Sequence, residues 1–235
     1  MADAFVAAPP GAGAQLAQVG GAIALRVPAL AHVVELNRII GLSSVGELDE
    51  LEPLYGEGPV VVSLDPETGL ARALDSRGYR EGYPWHKFVR GLDPLEARTG
   101  LAIEDARSPR DFGLTVAGGF GLPEPAADWL SRLVGRAGWH CFVGYDDDAP
   151  VAAGALFAAG EAGWLGLGAT VPAARGRGGQ SGIFAARVER ARALGLTVLV
   201  TETGAPRDGA AGPSYRNMLR AGFEVVYERP NYVRD

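Results

Sequence analysis

The residues best suited to chemistry lie in one loop, Pro172-Ala-Ala-Arg175-Gly176-Arg177-Gly178-Gly179-Gln180-Ser181-Gly182. It stands between an apolar run, residues 163–170, and a stretch with helical spacing, residues 183–194. Small residues at Gly176, Gly178 and Gly179 let backbone N–H groups turn inward without hindrance from a Cβ. A helix starting here adds unpaired N–H groups and the positive end of its dipole. Such a nest binds phosphate. Arg175 and Arg177 add two guanidinium forks that match phosphate oxygens. The plainer alternative is a Gly/Arg turn with solvated charges. A Walker A loop requires Gly-Lys-Ser/Thr, and the one lysine, Lys87, is remote. A dinucleotide fingerprint requires GxGxxG tight against its strand, whereas here Pro-Ala-Ala-Arg intervenes.

The elements that must position this loop follow from periodicity. Residues 139–145, 150–158 and 163–170 read as strands joined by the short breaks DDDAP and AAGEA, as in a meander. After the loop comes a helix with Phe184, Val188, Ala191 and Leu194 on one face and Arg187, Arg190 and Arg192 elsewhere, stopped by Gly195. Residues 196–201, LTVLVT, form a β-branched strand. Residues 213–221 form a helix ended by Gly222, and a strand pair occupies 223–233. Further upstream, helices are expected at 29–40, 66–77 and 125–136, and strands at 23–27, 59–64 and 79–90. Residues 91–111 are polar and read as a connection.

The region from 112 to 235 resembles the GNAT N-acetyltransferases, whose signature is Arg/Gln-x-x-Gly-x-Gly/Ala shortly after a proline. Arg175 and Gly178 match it, and Gln180 departs from it, standing where the family has Gly or Ala. The order of elements agrees as well. The resemblance implies an α/β (α+β) GNAT fold with a mixed, mostly antiparallel central sheet and flanking helices. It implies acetyl-CoA as cosubstrate and no metal. The pyrophosphate is expected on the loop from Arg175 to Gly182, that is Arg175, Gly176, Arg177, Gly178, Gly179, Gln180, Ser181 and Gly182. The pantetheine arm is expected along the backbone of Ala169, Thr170 and Val171, where the strand before the loop splays from the one after the helix.

Direct acyl transfer needs a neutral amine, donors for the developing oxyanion and often an acid for the thiolate. The family's usual tyrosine acid is replaced here by Met218; Tyr215, one helical turn earlier, is the substitute candidate, the alternative being an aromatic that packs. Glu202, at the end of its strand, is the candidate base or amine ligand, the alternative being a solvated carboxylate. Asn217 and Arg216 are expected near the cofactor tail, and Ser214 as a helix cap. His140 and Cys141 are adjacent on one strand, so they face opposite sides and are expected to be structural. Asp146 to Asp148 reads as a solvated turn, and Trp85 and His86 as packing residues.

Composition bounds the rest. With 47% hydrophobic and 21% charged residues the chain is globular. A net charge of -6 disfavours nucleic acid and anionic membranes as partners. One cysteine and three scattered histidines offer no disulfide and no metal spacing. Residues 1–22 lack the basic start of a signal peptide, and no run reaches the roughly 18 apolar residues of a membrane span. The expected setting is the cytoplasm, and the expected acceptor a small-molecule or peptide amine; a homodimer is compatible with this. Residues 73–90 echo 217–234: both run from helix end through Gly-aromatic and strand to Val-Arg, with 12 residues from Gly78 to Arg90 and from Gly222 to Arg234. The expected organisation is a leader (1–22), a degenerate GNAT-like half (23–95), a linker (96–111) and a GNAT domain (112–235). The second functional reading is a catalytically weakened acyl-CoA-binding or regulatory module.

Overall fold

A computed structural model describes residues 11, 13–31, 33 and 36–235 of the chain. Residues 1–10 of the expected leader, and His32, lie outside the described residues. The chain divides into two units, Met1–His86 with Tyr227–Asp235, and Lys87–Val226.

In the first unit β1 (Gln15–Val19) and β2 (Ala22–Arg26) form a hairpin. Its turn depends on Gly20, at φ 55°. A 3-10 turn (Pro28–Leu30) leads to β3 (Arg38–Ile40), then α1 (Val45–Leu51), β4 (Val60–Ser63), α2 (Ala71–Asp75) and β5 (Arg80–Glu81). The core of this unit packs Ile39, Val60 and Val62 from the sheet against Leu48 and Leu51 from α1.

The chain leaves the first unit within β6 (Trp85–Arg90). The second unit continues with β7 (Ala102–Asp105), α3 (Pro109–Phe120), α4 (Glu124–Ser131), β8 (Trp139–Asp146), β9 (Ala149–Ala159) and β10 (Ala162–Thr170). It ends with α5 (Gly179–Ala193), β11 (Val198–Gly204), α6 (Pro213–Arg220) and β12 (Glu224–Arg229), after which β13 (Asn231–Arg234) closes the chain. Its core stacks Leu156, Leu165 and Leu199 of the sheet on Phe184 and Val188 of α5, with Met218 and Phe223 beside them.

The strand orders are β1-β2-β3-β4-β13-β5 and β12-β6-β11-β10-β9-β8-β7. Taken from β8, the second sheet runs β8-β9-β10-β11-β6-β12, the order of the first with each strand replaced by a counterpart. Both contain an antiparallel meander followed by one parallel pair, β3–β4 or β10–β11. The last strand of the chain thus sits between β4 and β5, and β6 sits between β11 and β12. The echo noted in the sequence falls on these strands. Gly78 and Gly222 stand at φ 79° and 77°. The following Tyr79 and Phe223 donate N–H to Leu74 O and Met218 O at 3.1 and 3.0 Å. Arg234 lies over the Tyr79 ring at 5.4 Å and Arg90 over Phe223 at 5.7 Å.

Several local expectations change. Residues 15–22, expected in the leader, form β1, its turn and the first residue of β2. Residues 38–40, expected to end a helix, form β3, because pairing with β2 and β4 outweighs a short helical pattern. Residues 96–111, expected as a linker, supply β7, paired with β8, and the start of α3. Helix α3 itself was not anticipated; Ser108 caps it by accepting from Asp111 N at 3.1 Å, and Gly121 ends it at φ 68°. Ser214 is not a cap, since Gly212 occupies that position without a side-chain bond. Arg187, expected off the apolar face of its helix, is 1% exposed, whereas Leu194 is 44% exposed.

Candidate active site

β10 and β11 pair only from Ala162 to Trp164 and from Val198 to Val200. The last tie between them is Thr201 Oγ1 donating to Leu165 O at 2.7 Å. Beyond it β10 stays with β9 as far as Thr170, while β11 runs on to Gly204, so an opening separates the two strands. At its apex β10 carries a bulge between Gly166 and Ala169, with Leu167 at φ 56°. A left-handed leucine is strained, and such strain concentrates at functional sites. The bulge breaks the register with β9, and the Arg187 guanidinium takes up two carbonyls there: Nη1 donates to Ala155 O at 3.3 Å and to Gly166 O at 3.2 Å. Gly154 makes this approach possible, because a Cβ there would lie 3.2 Å from the guanidinium carbon.

At the wide end of the opening stands the Gly/Arg loop. Gly176 and Gly178 adopt φ 80° and 78°. Gly178 is the N-cap of α5 and offers no side-chain bond, so the amides of the first turn, from Gly179 to Ser181, have no helical acceptor. A Cβ on Gly178 would sit 2.1 Å from the Arg98 carbonyl oxygen, so glycine is required by space as well as by φ. Gly179 and Gly182 let the helix start lie close on Ala152 and Ile103. Val171 N donates to Val151 O at 2.9 Å. By strand alternation the backbone groups of Thr170 face the other edge, toward the opening. The Gln180 amide donates to Ala169 O at 2.7 Å and Thr170 Oγ1 at 3.2 Å, tying the helix start to the end of β10. That tie is the use found for the residue that departs from the Gly/Ala pattern.

The two arginines differ. Arg175 is exposed and makes only long contacts, to Thr170 O at 3.4 Å and Gly119 O at 3.3 Å. Arg177 grips Asp146 with both terminal nitrogens, at 2.5 and 2.7 Å, which holds the Asp146 carboxyl below its usual range. The turn from Asp146 to Asp148 is therefore partly engaged; Asp148 pairs with Arg107 as well.

At the apex, Glu202 follows Thr201 on β11. Its side chain is 6% exposed and is ion-paired with Lys87 of β6. Lys87 was missed in the sequence; its being the only lysine was the available signal. Tyr215 stands edge-on to Phe88 with ring centroids 5.1 Å apart and packs on the apolar cluster that buries Met218. Asn217 Oδ1 accepts from Arg220, and Arg216 donates to Ala211 O. His140 and Cys141 do not join the site. The ring of His140 is hydrogen-bonded to Arg190, at 2.9 Å from Nδ1, and burial pushes the Cys141 thiol up to about 12. In the first unit Trp85 lies between Arg38 and Arg229, at 5.6 and 5.8 Å, and His86 contacts Glu228. Among the described residues no cluster of His, Cys, Asp and Glu could hold a metal, and no helix is long and apolar enough to cross a membrane.

No family model and no curated protein matches this chain. Solved structures do. A GCN5-related N-acetyltransferase from Kribbella flavida superposes with a TM-score of 0.66 at 17% identity, over 99% of this chain and 92% of that one. One from Sphaerobacter thermophilus gives 0.65 at 17% identity, over 92% and 81%. A tandem GNAT protein from the clavulanic acid biosynthesis pathway gives 0.61 at 13% identity, over 98% and 85%. The chain has the GNAT fold.

Proposed function

We propose that the chain is an acyl-CoA-dependent N-acyltransferase that passes an acyl group, acetyl in the simplest case, directly to a primary amine. The observation that carries this reading is the α5 N-terminus: it has amides without helical acceptors and no capping side chain, and it stands at the mouth of an opening between two parallel strands. A pyrophosphate would sit on the amides from Arg177 to Ser181 with Arg175 beside it, Gly182 N being taken by Gly178 O at 3.0 Å, and the pantetheine arm would lie along the Ala169–Val171 stretch, where the Thr170 backbone faces the opening. Acyl-CoA supplies a thioester whose carbonyl carbon takes the amine nitrogen: the C–N bond forms, the C–S bond breaks, one amine proton leaves and the thiolate is protonated on release. Glu202, buried at the apex, receives the amine proton, directly or through water. Lys87 is ion-paired with that carboxylate and fixes its position. Tyr215 is the candidate acid for the thiolate. Asn217 lies near the cofactor tail.

The first unit is a diverged copy of the second, supported by the shared strand order and the matched Gly78/Gly222 and Arg90/Arg234 contacts. The acceptor is a small-molecule or peptide amine, and the setting the cytoplasm. A second reading, an acyl-CoA-binding regulatory module, is favoured by Met218 in place of the family's acid. Calorimetric titration with acetyl-CoA, followed by an amine screen for thiol release, decides. Micromolar binding with turnover supports the enzyme, binding without turnover on any amine supports the module, and no binding by folded protein overturns both.

A further inference from the structure

Lys87 is the only lysine of the chain, and therefore its only side-chain primary amine. An ion pair with Glu202 would be served as well by arginine, which this sequence uses at every other such position. What lysine adds is a nitrogen that can lose a proton and become a nucleophile, which a guanidinium cannot do. That nitrogen is hydrogen-bonded to Glu202 Oε2, on the carboxylate that receives the acceptor's proton in the reading above. An amine that hands its proton directly to this carboxylate has to come within hydrogen-bond reach of it. Lys87 already holds an amine there.

The sheet places this amine across from the donor. β6 and β11 are neighbouring strands. Phe88 of β6 and Leu199 of β11 pack with Phe184 and Val188 of α5, so they lie on the helix face of the sheet. Side chains alternate along a strand, which puts Lys87 and Glu202 on the opposite face. A donor arm that starts on the α5 amides and enters the opening between β10 and β11 brings its thioester in from one side, and the amine and its base stand on the other. The Lys87 side chain is 26% exposed and that of Glu202 only 6%, so solvent reaches the pair from the lysine side, where a long flexible stem leaves the nitrogen able to swing.

From this juxtaposition we infer that Lys87 is a self-acylation site: without an external acceptor, its Nζ takes the acyl group from a bound acyl-CoA. The inference rests on the acyl-CoA reading above and adds an acceptor within the chain. In the reaction the ammonium gives one proton to Glu202, and the neutral nitrogen attacks the thioester carbonyl carbon. The C–N bond forms and the C–S bond breaks. The second nitrogen proton balances the departing thiolate as free CoA thiol, and Glu202 returns its proton to water. The product is a neutral amide, which no longer pairs with Glu202.

The test is to incubate the full chain with acetyl-CoA and no added amine, and to follow the intact mass. With a single lysine, one acetyl group per chain is the expected end point, and peptide mapping separates Lys87 from the terminal amine. Lys87→Arg should take up no side-chain acetyl group. Glu202→Gln should slow the labelling by about 100-fold. If either variant fails to fold, the wild type unfolded in urea serves as the comparison, and it should label far more slowly than the folded chain. Lys87 left unmodified in a folded chain that binds acetyl-CoA, or labelling at the same rate in E202Q or in urea, overturns the inference alone. A folded chain that binds no acetyl-CoA in a calorimetric titration overturns the acyl-CoA reading itself, and this with it.

Discussion

Two helices of this chain occupy the same place in their sheets, and their N-termini are treated in opposite ways. α1 follows β3, the first strand of one parallel pair, and α5 follows β10, the first of the other. At α1 the protein supplies its own anion. Glu47 Oε2 accepts from Ser43 N at 2.6 Å and Ser44 N at 3.2 Å, while Ser44 Oγ accepts from Glu47 N at 3.3 Å, a complete capping box. At α5 the cap is Gly178, and no side chain makes a capping hydrogen bond. The same strand-loop-helix unit is sealed in one sheet and open in the other. A fold shared by both units thus leaves one helix end capped and the other uncapped, and under the proposed function the cap residues decide which end takes a ligand.

The neighbouring strands repeat the contrast. In the first sheet β4 and β13 meet through Ser63 and Asn231, whose side chains share a 2.7 Å hydrogen bond. In the second, β11 and β6 bring Glu202 to Lys87. Lys87 and Asn231 occupy the same step of the echo, each nine residues past its glycine. The first pair is neutral, whereas the second includes the carboxylate that serves as base in the proposed reaction. Glu202→Gln should therefore lower kcat by about 10²- to 10⁴-fold. Steady-state thiol release reads this directly, and retention of more than half the rate would remove Glu202 from the mechanism.

Sealing the open helix should come next in size. Gly178→Val forces a side chain into a left-handed position and onto the Arg98 carbonyl. CoA affinity in a titration should drop by about 100-fold, turning α5 into a closed terminus like α1. An unchanged affinity would move the phosphate site elsewhere. The two loop arginines refine the picture. Arg175→Ala should weaken CoA by about tenfold, because its fork is held only by long contacts and is available to phosphate. Arg177→Ala should cost about twofold, because Asp146 already holds that fork. Equal effects would show that CoA draws Arg177 away from Asp146.

Much of this site was legible because it is local. The meander, the loop and α5 are contiguous, and their β-branched runs and glycines carry their own signals. The rest depended on partners distant in sequence. Glu202 and Lys87 are 115 residues apart, and nothing near either announces the other. The exchange of β6 and β13 was visible only as an echo; which sheet each joins is a matter of pairing, not of pattern. The bulge was hidden because Leu167 is an unremarkable residue whose φ is imposed by its surroundings. Arg187 was misplaced because an arginine in RVERARA reads as a surface residue, and only the small Gly154 beneath it makes room.

The smallest expected effect tests the sealed helix. The hydrogen bonds to the Ser43 and Ser44 amides and hydroxyl hold the Glu47 carboxyl below its ordinary value of 4.5. A carboxylate depressed in the folded state stabilises above that ordinary value, and its contribution is lost as the pH falls through the lowered one. The melting temperature of the wild type should thus fall on the acid side, and Glu47→Gln should lack this part of the decline. Ser44→Ala removes the other half of the box and should cost about 1 kcal/mol at neutral pH, within the usual range for a lost cap. If both variants melt like the wild type at every pH, the capping box contributes nothing, and an occupied helix end is not what separates the two units. If the effects appear while CoA affinity stays unchanged, the contrast between a helix end that is filled and one that is free is established in both directions.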